Sequence, residues 1–434
     1  MRPSIKAFRS FSRITARTAA GCLDPIFRCW SRQIRYNEAR IAGLTVFAMH
    51  TMQQVSLVLL LLPIVLLGIG QSALCSQRDI VLSGVYEAAL DLPRILFVLK
   101  REPTSPPLRP NTRFEVNYAF LDTGASGVVL SRETTDLMHV AVHPTARFTN
   151  VGVGGVEHFA VSEPLYVGIA GYGEQRPADP GVYKMIGQGR FQVRENKAGL
   201  LGQPLDIIGM PAMFGRVVVL DSAATNALEY FAADIKKPDD PTIPRVHLEV
   251  ALKLKSFLNP GNPDNIPPLP VTACNPVIND VVIQRRDRAS RGEWLLDTGA
   301  TMSLISVRQA ARLGLTDDNG KPLVKPDFVL PLGGIGQMVQ VPGFEVDRLV
   351  IPTLSGRNLI FKGVRVGVHD IAFFDQKKED FLTLDGVFGS NFLCASAHMQ
   401  GLLPGDVSET VFDKVVIDMR RAILGFRFRR RTEH

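Results

Sequence analysis

Cysteine and tryptophan are scarce in this chain of 434 residues, which contains five cysteines and two tryptophans. No Cys-x-x-Cys pair occurs, and no cysteine–histidine cluster has the spacing of a metal site, so the sequence predicts no metal. Cys274 and Cys394 belong to the main body of the chain. They could pair in an exported protein, but two buried free thiols fit the sequence equally well.

Phosphate-binding loops and nucleic-acid-binding stripes are also missing. The glycine-rich stretches do not open a helix as a nucleotide-binding loop must, so no nucleotide or other cofactor is expected. The net charge of +7 comes from the two ends, mainly residues 1–40 and 427–431, rather than from a folded face. We therefore predict no nucleic-acid partner. Hydrophobic residues make up 46% of the chain, which is typical of a globular protein.

The N-terminal part lacks charge over a long stretch, with no charged residue between Arg40 and Arg78. Residues 1–54 are a basic N-terminal region, and residues 55–75 hold an apolar run that suits a signal-peptide core. Extended back to Leu44, the same run is long enough for a transmembrane helix. The prediction is export to the periplasm or the cell exterior, or anchoring by this single segment.

Two alternatives remain for the first residues. Residues 1–20 are rich in arginine and serine without acids, as organelle transit peptides are, so organelle targeting stays open. A start at Met49 or Met52, just before the apolar run, would also explain them.

The main body contains an internal repeat. Asp-Thr-Gly-Ala occurs at Asp122–Ala125 and again at Asp297–Ala300, each time after an apolar pair and before a second apolar run. The same landmarks then follow each copy in the same order: a glycine-rich stretch (151–155 and 332–336), an apolar pair with glycine (207–209 and 387–389) and an extended run ending in aspartate (217–221 and 415–418). Such a repeat predicts two similar halves.

Short runs of Val, Ile, Leu and Phe broken by Gly, Pro and Asn predict an all-β protein. We expect a first lobe at 77–255, a proline-rich linker at 256–271 and a second lobe at 272–434. A capping box at Ser306 and Gln309 predicts a short helix that Gly314 ends, and Ser131–Met138 is a weaker equivalent. Trp294 is expected in the core.

An apolar strand that ends in Asp-Thr-Gly places a carboxylate at a sharp turn. Glycine permits a close backbone approach, threonine stiffens the turn with a hydroxyl, and alanine is small enough for a second turn to pack against it. Two such turns can meet at a pseudo-two-fold axis. Asp122 and Asp297 would then share one proton and perform general acid–base hydrolysis.

The two Asp-Thr-Gly-Ala halves resemble the aspartic proteases, and each half resembles a retropepsin protomer. The resemblance implies a two-lobed fold with pseudo-two-fold symmetry, and an aspartic endopeptidase that is active as a monomer on a protein or peptide substrate. Asp122 and Asp297 would be catalytic, with Thr123, Gly124, Ala125, Thr298, Gly299 and Ala300 as motif support. The glycine-rich stretches would be flaps over the substrate, formed by Gly152, Val153, Gly154, Gly155, Gly334, Ile335 and Gly336.

The chain departs from the family at several places. Residues 160–200 and 340–382 have no obvious retropepsin counterpart, and we interpret them as insertions. Pepsin-like enzymes carry serine or threonine after Asp-Thr-Gly where this chain has Ala125 and Ala300, and neither predicted flap contains the usual tyrosine. These differences favour the retropepsin side.

Less specific interpretations stay open. The aspartates could be turn residues only, and the glycine stretches could be ordinary hairpin turns. The fold could also serve a non-catalytic, membrane-tethered peptide-binding module or a scaffold. His139, His143, His158, His247, His369 and His398 are scattered and are interpreted as structural or surface residues.

Overall fold

The computed structural model describes residues 78–86, 92–108, 117–195, 205–221, 231–256, 274–336, 338–370, 372–375, 380–393 and 411–429. All of them belong to one compact unit that spans residues 77–434. The predicted N-terminal segments, nearly all of the linker and Cys394 lie outside the described residues. Within the described residues, no helix has both the length and the apolar character to cross a membrane.

The described chain is mostly β-structure, as the short apolar runs predicted. The first half contains β1 (Ile80–Tyr86), β2 (Arg94–Lys100), β3 (Tyr118–Leu121), β4 (Val128–Leu130), β5 (Val142–Gly152), β6 (Gly155–Ser162), β7 (Leu165–Gly171), β8 (Lys184–Gly189), β9 (Gln192–Arg194), β10 (Ile207–Ile208), β11 (Val217–Asp221), β12 (Ala232–Lys236) and β13 (Leu248–Ser256). The second half contains β14 (Cys274–Arg285), β15 (Arg288–Leu296), β16 (Leu304–Ile305), β17 (Phe328–Leu332), β18 (Val339–Pro352), β19 (Asn358–Val368), β20 (Ala372–Asp375), β21 (Asp380–Thr383), β22 (Gly386–Phe388), β23 (Phe412–Asp418) and β24 (Ile423–Phe428).

Short helices stand at matching places in the two halves: α1 (Arg132–Leu137), α2 (Met210–Met213), α3 (Val307–Arg312) and α4 (Ser390–Leu393), with a 3-10 turn at Pro180–Val182. The side chain of Ser131 caps α1 by accepting a hydrogen bond from the third residue on, at 3.1 Å, and Ser306 caps α3 in the same way at 3.1 Å. Gly314 follows α3 with a φ of 69°. Both predicted helices are confirmed.

The repeat seen in the sequence is also a repeat of strand pairing. β10 lies parallel to β3 and antiparallel to β4, and β22 lies parallel to β15 and antiparallel to β16. β9 then adds to β4 in parallel, as β19 adds to β16. β9 and β19 complete the sheets around the two Asp-Thr-Gly turns, so residues 160–200 and 340–382 contribute strands to these sheets. Their interpretation as insertions stays a prediction.

Strands from both halves join in one sheet that connects the lobes. β11 pairs antiparallel with β23, from Val217 opposite Asp418 to Asp221 opposite Lys414. β13 pairs with β14 and β24, and β1 pairs in parallel with β19. The two-lobed, all-β architecture is therefore continuous across the halves, and the lobe boundaries at residues 255 and 272 stay predictions.

The main hydrophobic core also runs through both halves, with phenylalanines on many of the strands. Trp294 is completely buried there, as expected. A Cβ atom at Gly386 would come within 2.5 Å of its ring, so the neighbouring strand must carry glycine at that point. The end of β15 is buried up to Leu296, the residue before Asp297.

Candidate active site

The two aspartates end equivalent strands and have equivalent backbone support. Asp122 follows β3, and its Oδ1 accepts hydrogen bonds from the N–H groups of the next glycine and alanine, at 2.7 and 3.0 Å. Asp297 follows β15, and its Oδ1 accepts the corresponding bonds at 2.8 and 3.1 Å. Each Asp-Thr-Gly-Ala segment is thus a tight turn around its own carboxylate.

The glycines of the two motifs show how closely the turns meet. A Cβ atom at Gly124 would lie 2.7 Å from Cγ of Asp297, and one at Gly299 would lie 2.4 Å from Cγ of Asp122. Real Cβ atoms do not come so close to other heavy atoms. Each glycine therefore leaves the space that the carboxyl group of the opposite lobe occupies.

The threonines join the two turns directly. The Oγ1 atom of Thr123 donates to the carbonyl of Leu296 at 2.6 Å and accepts from the N–H of Thr298 at 3.0 Å. Thr298 repeats this towards the first lobe, with Leu121 O at 2.6 Å and Thr123 N at 3.0 Å. From the sequence, each threonine hydroxyl was expected to fix its own turn. In the structure, each hydroxyl instead fixes the turn of the opposite lobe.

The apolar-apolar-glycine elements support the turns from below. The N–H of Asp122 donates to Ile208 O at 3.0 Å, and the N–H of Asp297 donates to Phe388 O at 3.0 Å. A Cβ atom at Gly209 would lie 2.5 Å from the carbonyl oxygen of Ala125 in the first turn, and one at Gly389 would lie 2.9 Å from that of Ala300 in the second. Glycine is thus required beneath both turns.

The two carboxyl groups are half-buried and lie close together, because each stands directly against the glycine that follows the other in its turn. Burial raises the pKa of Asp122, while the hydrogen bond from Asp297 and the turn N–H groups oppose that rise. Burial also raises the pKa of Asp297, and the negative charge of Asp122 raises it further. Such a pair holds a single proton over a wide pH range, because like charges in contact cannot both ionise.

The predicted flaps are two glycine-rich tips that meet. The first flap tip, residues 152–155, closes the β5–β6 hairpin, and the second flap tip, residues 333–336, follows β17. The N–H of Gly154 donates to the carbonyl of Ile335 at 2.9 Å, and Gly154 bridges to Gly336 in parallel. The tips are in contact, so this arrangement is a closed one.

Each tip also places an apolar side chain on the opposite lobe. Val153 packs against a second-lobe cluster that includes Leu295 and Ala300. Ile335 packs against a first-lobe cluster that includes Ala125 and Ile207. The tips thereby cover the two turns reciprocally.

An ion pair in the first lobe holds the second tip; we call Glu157 and Arg194 the latch. Their side chains are 15% and 5% exposed and form two hydrogen bonds, at 2.9 and 3.0 Å. Glu157 accepts from the N–H of Gly336 at 2.9 Å, and Arg194 donates to Gly334 O at 2.9 Å. A residue of the second lobe likewise holds the first flap tip: His369 Nε2 donates to Val153 O at 2.8 Å.

Sequence reasoning missed several residues that surround the site. His369 was treated as structural or surface, and the latch residues stood in no motif. Asn275 Nδ2 donates to Thr123 O at 2.8 Å, and Ser390 Oγ donates to Thr298 O at 2.8 Å. A pattern within one strand carries no signal for such contacts, because the partners are distant in sequence.

The acids upstream of the glycine elements support local structure. Asp206 is buried and accepts hydrogen bonds from Ser131 N at 2.7 Å and from Thr134 Oγ1, which fixes the start of α1. Burial raises its pKa to about 6. Asp385 instead forms an ion pair with Arg308.

The described residues contain neither a group of metal ligands nor a disulfide. Over those residues, no three His, Cys, Asp or Glu side chains are grouped so as to hold a metal ion. Cys274 is partly buried as a free thiol, and burial raises its pKa. Because Cys394 lies outside the described residues, the structure does not test whether it pairs with Cys274.

Comparison with known proteins yields similarity in fold alone. No family model matches the chain, and no curated protein matches it. Among solved structures, the aspartic proteinase of Irpex lacteus is similar at 12% identity and a TM-score of 0.41, over 79% of this chain and 98% of the proteinase. The basic 7S globulin of soybean is similar at 11% identity and a TM-score of 0.38, over 77% of this chain and 96% of the globulin. Sequence identities and TM-scores this low say nothing about which activity this chain has.

Proposed function

We propose that this protein is an aspartic endopeptidase that hydrolyses peptide bonds with a water activated by Asp122 and Asp297. The observation that carries the proposal is the close approach of the two carboxyl groups, made possible by glycines that face them from the opposite lobe. A non-catalytic turn has no need to bring two like charges together at an energetic cost. The matched N–H donors on both turns further support a pair that works as a unit.

The geometry supports general acid–base hydrolysis without a covalent intermediate. The ionised aspartate takes a proton from the water as the water attacks the scissile carbonyl carbon. The protonated aspartate donates to the carbonyl oxygen, which gives a tetrahedral gem-diol. The aspartate that took the proton from the water then passes it to the nitrogen, the carbon–nitrogen bond breaks, and a gem-diol hydroxyl returns its proton to the other aspartate. No metal or organic cofactor takes part in these steps.

The substrate in this proposal is an extended protein or peptide segment that lies between the turns and the flap tips. Extended peptides suit such a cleft because their backbone can pair with strand edges. Since the closed tips occupy the space above the turns, both flaps must open to admit the peptide. Two flaps and alanine after each Asp-Thr-Gly support a retropepsin-like subtype within a single, monomeric chain.

The cellular context stays part of the proposal. An exported or membrane-anchored enzyme, with residues 55–75 as signal or anchor, agrees with the charge distribution of the N-terminal part. A proteomic assay of the protein's free N-terminus after cell fractionation would distinguish a cleaved signal from an anchor.

The test is hydrolysis of a mixed peptide library by the full-length protein across roughly pH 3 to 8, the span over which a carboxylate pair holds one shared proton. Asp122→Asn and Asp297→Asn are the matched variants, and each should lower kcat by about 10²–10⁴-fold or more. Retained cleavage in either variant would refute the shared pair. A folded protein that binds peptides without cleaving them would favour the non-catalytic peptide-binding alternative.

A further inference from the structure

The two aspartate turns differ in the side chains that donate hydrogen bonds to their carbonyl groups. Asn275, near the start of β14 in the second lobe, is 1% exposed. Its Nδ2 donates to Thr123 O at 2.8 Å and to Gly124 O at 3.0 Å, both in the first turn. The amide orientation follows from the chemistry, because two carbonyl oxygens can only accept.

These two carbonyls belong to the peptide groups that hold Asp122. The peptide with the Thr123 carbonyl carries the N–H of Gly124, and the peptide with the Gly124 carbonyl carries the N–H of Ala125. Both N–H groups donate to Asp122 Oδ1, at 2.7 and 3.0 Å. A hydrogen bond at the carbonyl end of a peptide polarises its N–H end, so Asn275 strengthens both donors to the carboxylate.

The second turn has weaker support of this kind. Ser390 Oγ donates to Thr298 O at 2.8 Å and so polarises one of the two peptides that bind Asp297. The other carbonyl, that of Gly299, accepts from no side chain among the hydrogen bonds of the described residues. The two turns therefore have equal N–H donors but unequal polarisation.

The first lobe has leucine where the second has Asn275. Arg94 pairs with Phe120 and Val277 pairs with Leu295, each partner lying two residues before its aspartate. Leu92 lies two residues before Arg94, and Asn275 lies two residues before Val277, so the two occupy equivalent positions in the two halves. Both are buried. Oδ1 of Asn275 is buried without a hydrogen-bond partner among the described residues, a cost that leucine would avoid. The amide contacts with the first turn therefore give the reason for asparagine at this position.

Resting on the proposed function, we propose that Asn275 is a positioning residue that makes the two aspartates unequal: it stabilises the negative charge on Asp122, so that Asp122 is the base for the water and Asp297 holds the proton for the carbonyl oxygen.

The test is a ¹³C NMR titration of the full-length protein with aspartate labelled at Cγ, assigned with Asp122→Asn and Asp297→Asn. In the singly protonated range, the Cγ shifts should place most of the proton on Asp297. Asn275→Leu, which installs the first-lobe residue, should move the proton towards Asp122 by about threefold, or about half a pH unit, as expected when two hydrogen bonds lose part of their cooperative strength.

Ser390→Ala is the matched control, because it removes the corresponding donor from the other turn. It should move the proton share in the opposite direction, further onto Asp297. Asn275→Ala is a second variant in case leucine disturbs folding, which circular dichroism and thermal melting would show. A merely structural role for Asn275 would lower stability without moving the proton share.

Two results would overturn the inference: a proton that resides mainly on Asp122 or equally on both groups in the unmodified protein, or an unchanged proton share in folded Asn275 variants. The titration needs no substrate, so it separates this inference from the proposed function. If the proton share responds as described but no peptide is cleaved, the endopeptidase proposal fails while the role of Asn275 in the pair stands.

Discussion

Gly124 in the first lobe faces Asp297 in the second so closely that a Cβ atom at the glycine would lie 2.7 Å from the carboxyl carbon. The reciprocal relation holds between Gly299 and Asp122, at 2.4 Å. The position of each carboxyl group thereby requires glycine in the turn of the other half. This contact gives the reason for the glycine in both copies of the motif.

We expect Gly124→Ala to displace Asp297 and to lower kcat/KM by about 10²-fold or more, because misplacement of a catalytic group by about 1 Å has an effect of this size. Peptide hydrolysis under steady-state conditions measures it. Gly173→Ala is the control, since a Cβ atom there meets no other atom within 4 Å. Normal activity in Gly124→Ala would contradict the closeness of the two turns.

Thr123→Val should lower the free energy of unfolding by about 2–4 kcal/mol, because it leaves two buried backbone groups of the second lobe without hydrogen bonds. Those groups are the carbonyl of Leu296 and the N–H of Thr298. Urea unfolding followed by circular dichroism gives the value. Thr123→Ser keeps the hydroxyl and should stay close to the unmodified protein; equal losses in both variants would assign the effect to packing instead.

Asp206 should make the protein more stable in acid than at neutral pH. Its pKa is raised from 3.8 to about 6 on folding, so the protonated form is favoured in the folded state. That contribution is fully present below pH 3.8 and is lost as the pH rises through about 6. Its size is roughly 3 kcal/mol, at about 1.4 kcal/mol per unit of pKa.

The measurement for Asp206 is the free energy of unfolding against pH, compared between the unmodified protein and Asp206→Asn. The comparison is necessary because burial also raises the pKa of Asp122 and of Asp297. The difference between the two curves should change between about pH 4 and 6 and be flat above about pH 7. Parallel curves over the whole range would show that folding does not change the pKa of Asp206.

Glu157→Gln should loosen the closed flaps, because it leaves the buried guanidinium of Arg194 without its counter-ion and weakens the acceptor for the N–H of Gly336. Breaking a buried ion pair from one side costs about 3–5 kcal/mol, part of which is local to the flaps. Amide hydrogen exchange at Gly154 and Gly336 should accelerate by at least about tenfold.

Asp136→Asn is the matched control for the latch. It removes a carboxylate from an exposed pair with Arg132, whose side chains are 42% and 49% exposed, and such a pair contributes only about 0–1 kcal/mol. Exchange at the flap tips should not change in this variant. Unchanged exchange in Glu157→Gln as well would mean that the tip-to-tip hydrogen bond alone keeps the flaps closed.

Features that depend on a few consecutive residues could be predicted from the sequence. The serine caps of α1 and α3 are hydrogen bonds across three residues, so Ser131 and Ser306 mark their helices in any context. The strand–turn–strand pattern around each Asp-Thr-Gly is likewise local, and its repetition predicted the pairing of two aspartates. The pairing of β9 with β4 and of β19 with β16 was not predicted, because these parallel partners lie far apart in the chain.

The sequence by itself determined the all-β character, the two equivalent turns and the identity of the paired carboxylates, since each follows from short patterns that recur in the same order. Only the tertiary structure decided which atoms of the two lobes contact each other. Thr123 bonds Leu296, Arg194 holds the second flap tip, and Asn275 donates to the first turn. Such contacts join residues more than a hundred positions apart, and they depend on how the two halves pack against each other rather than on any pattern within either half.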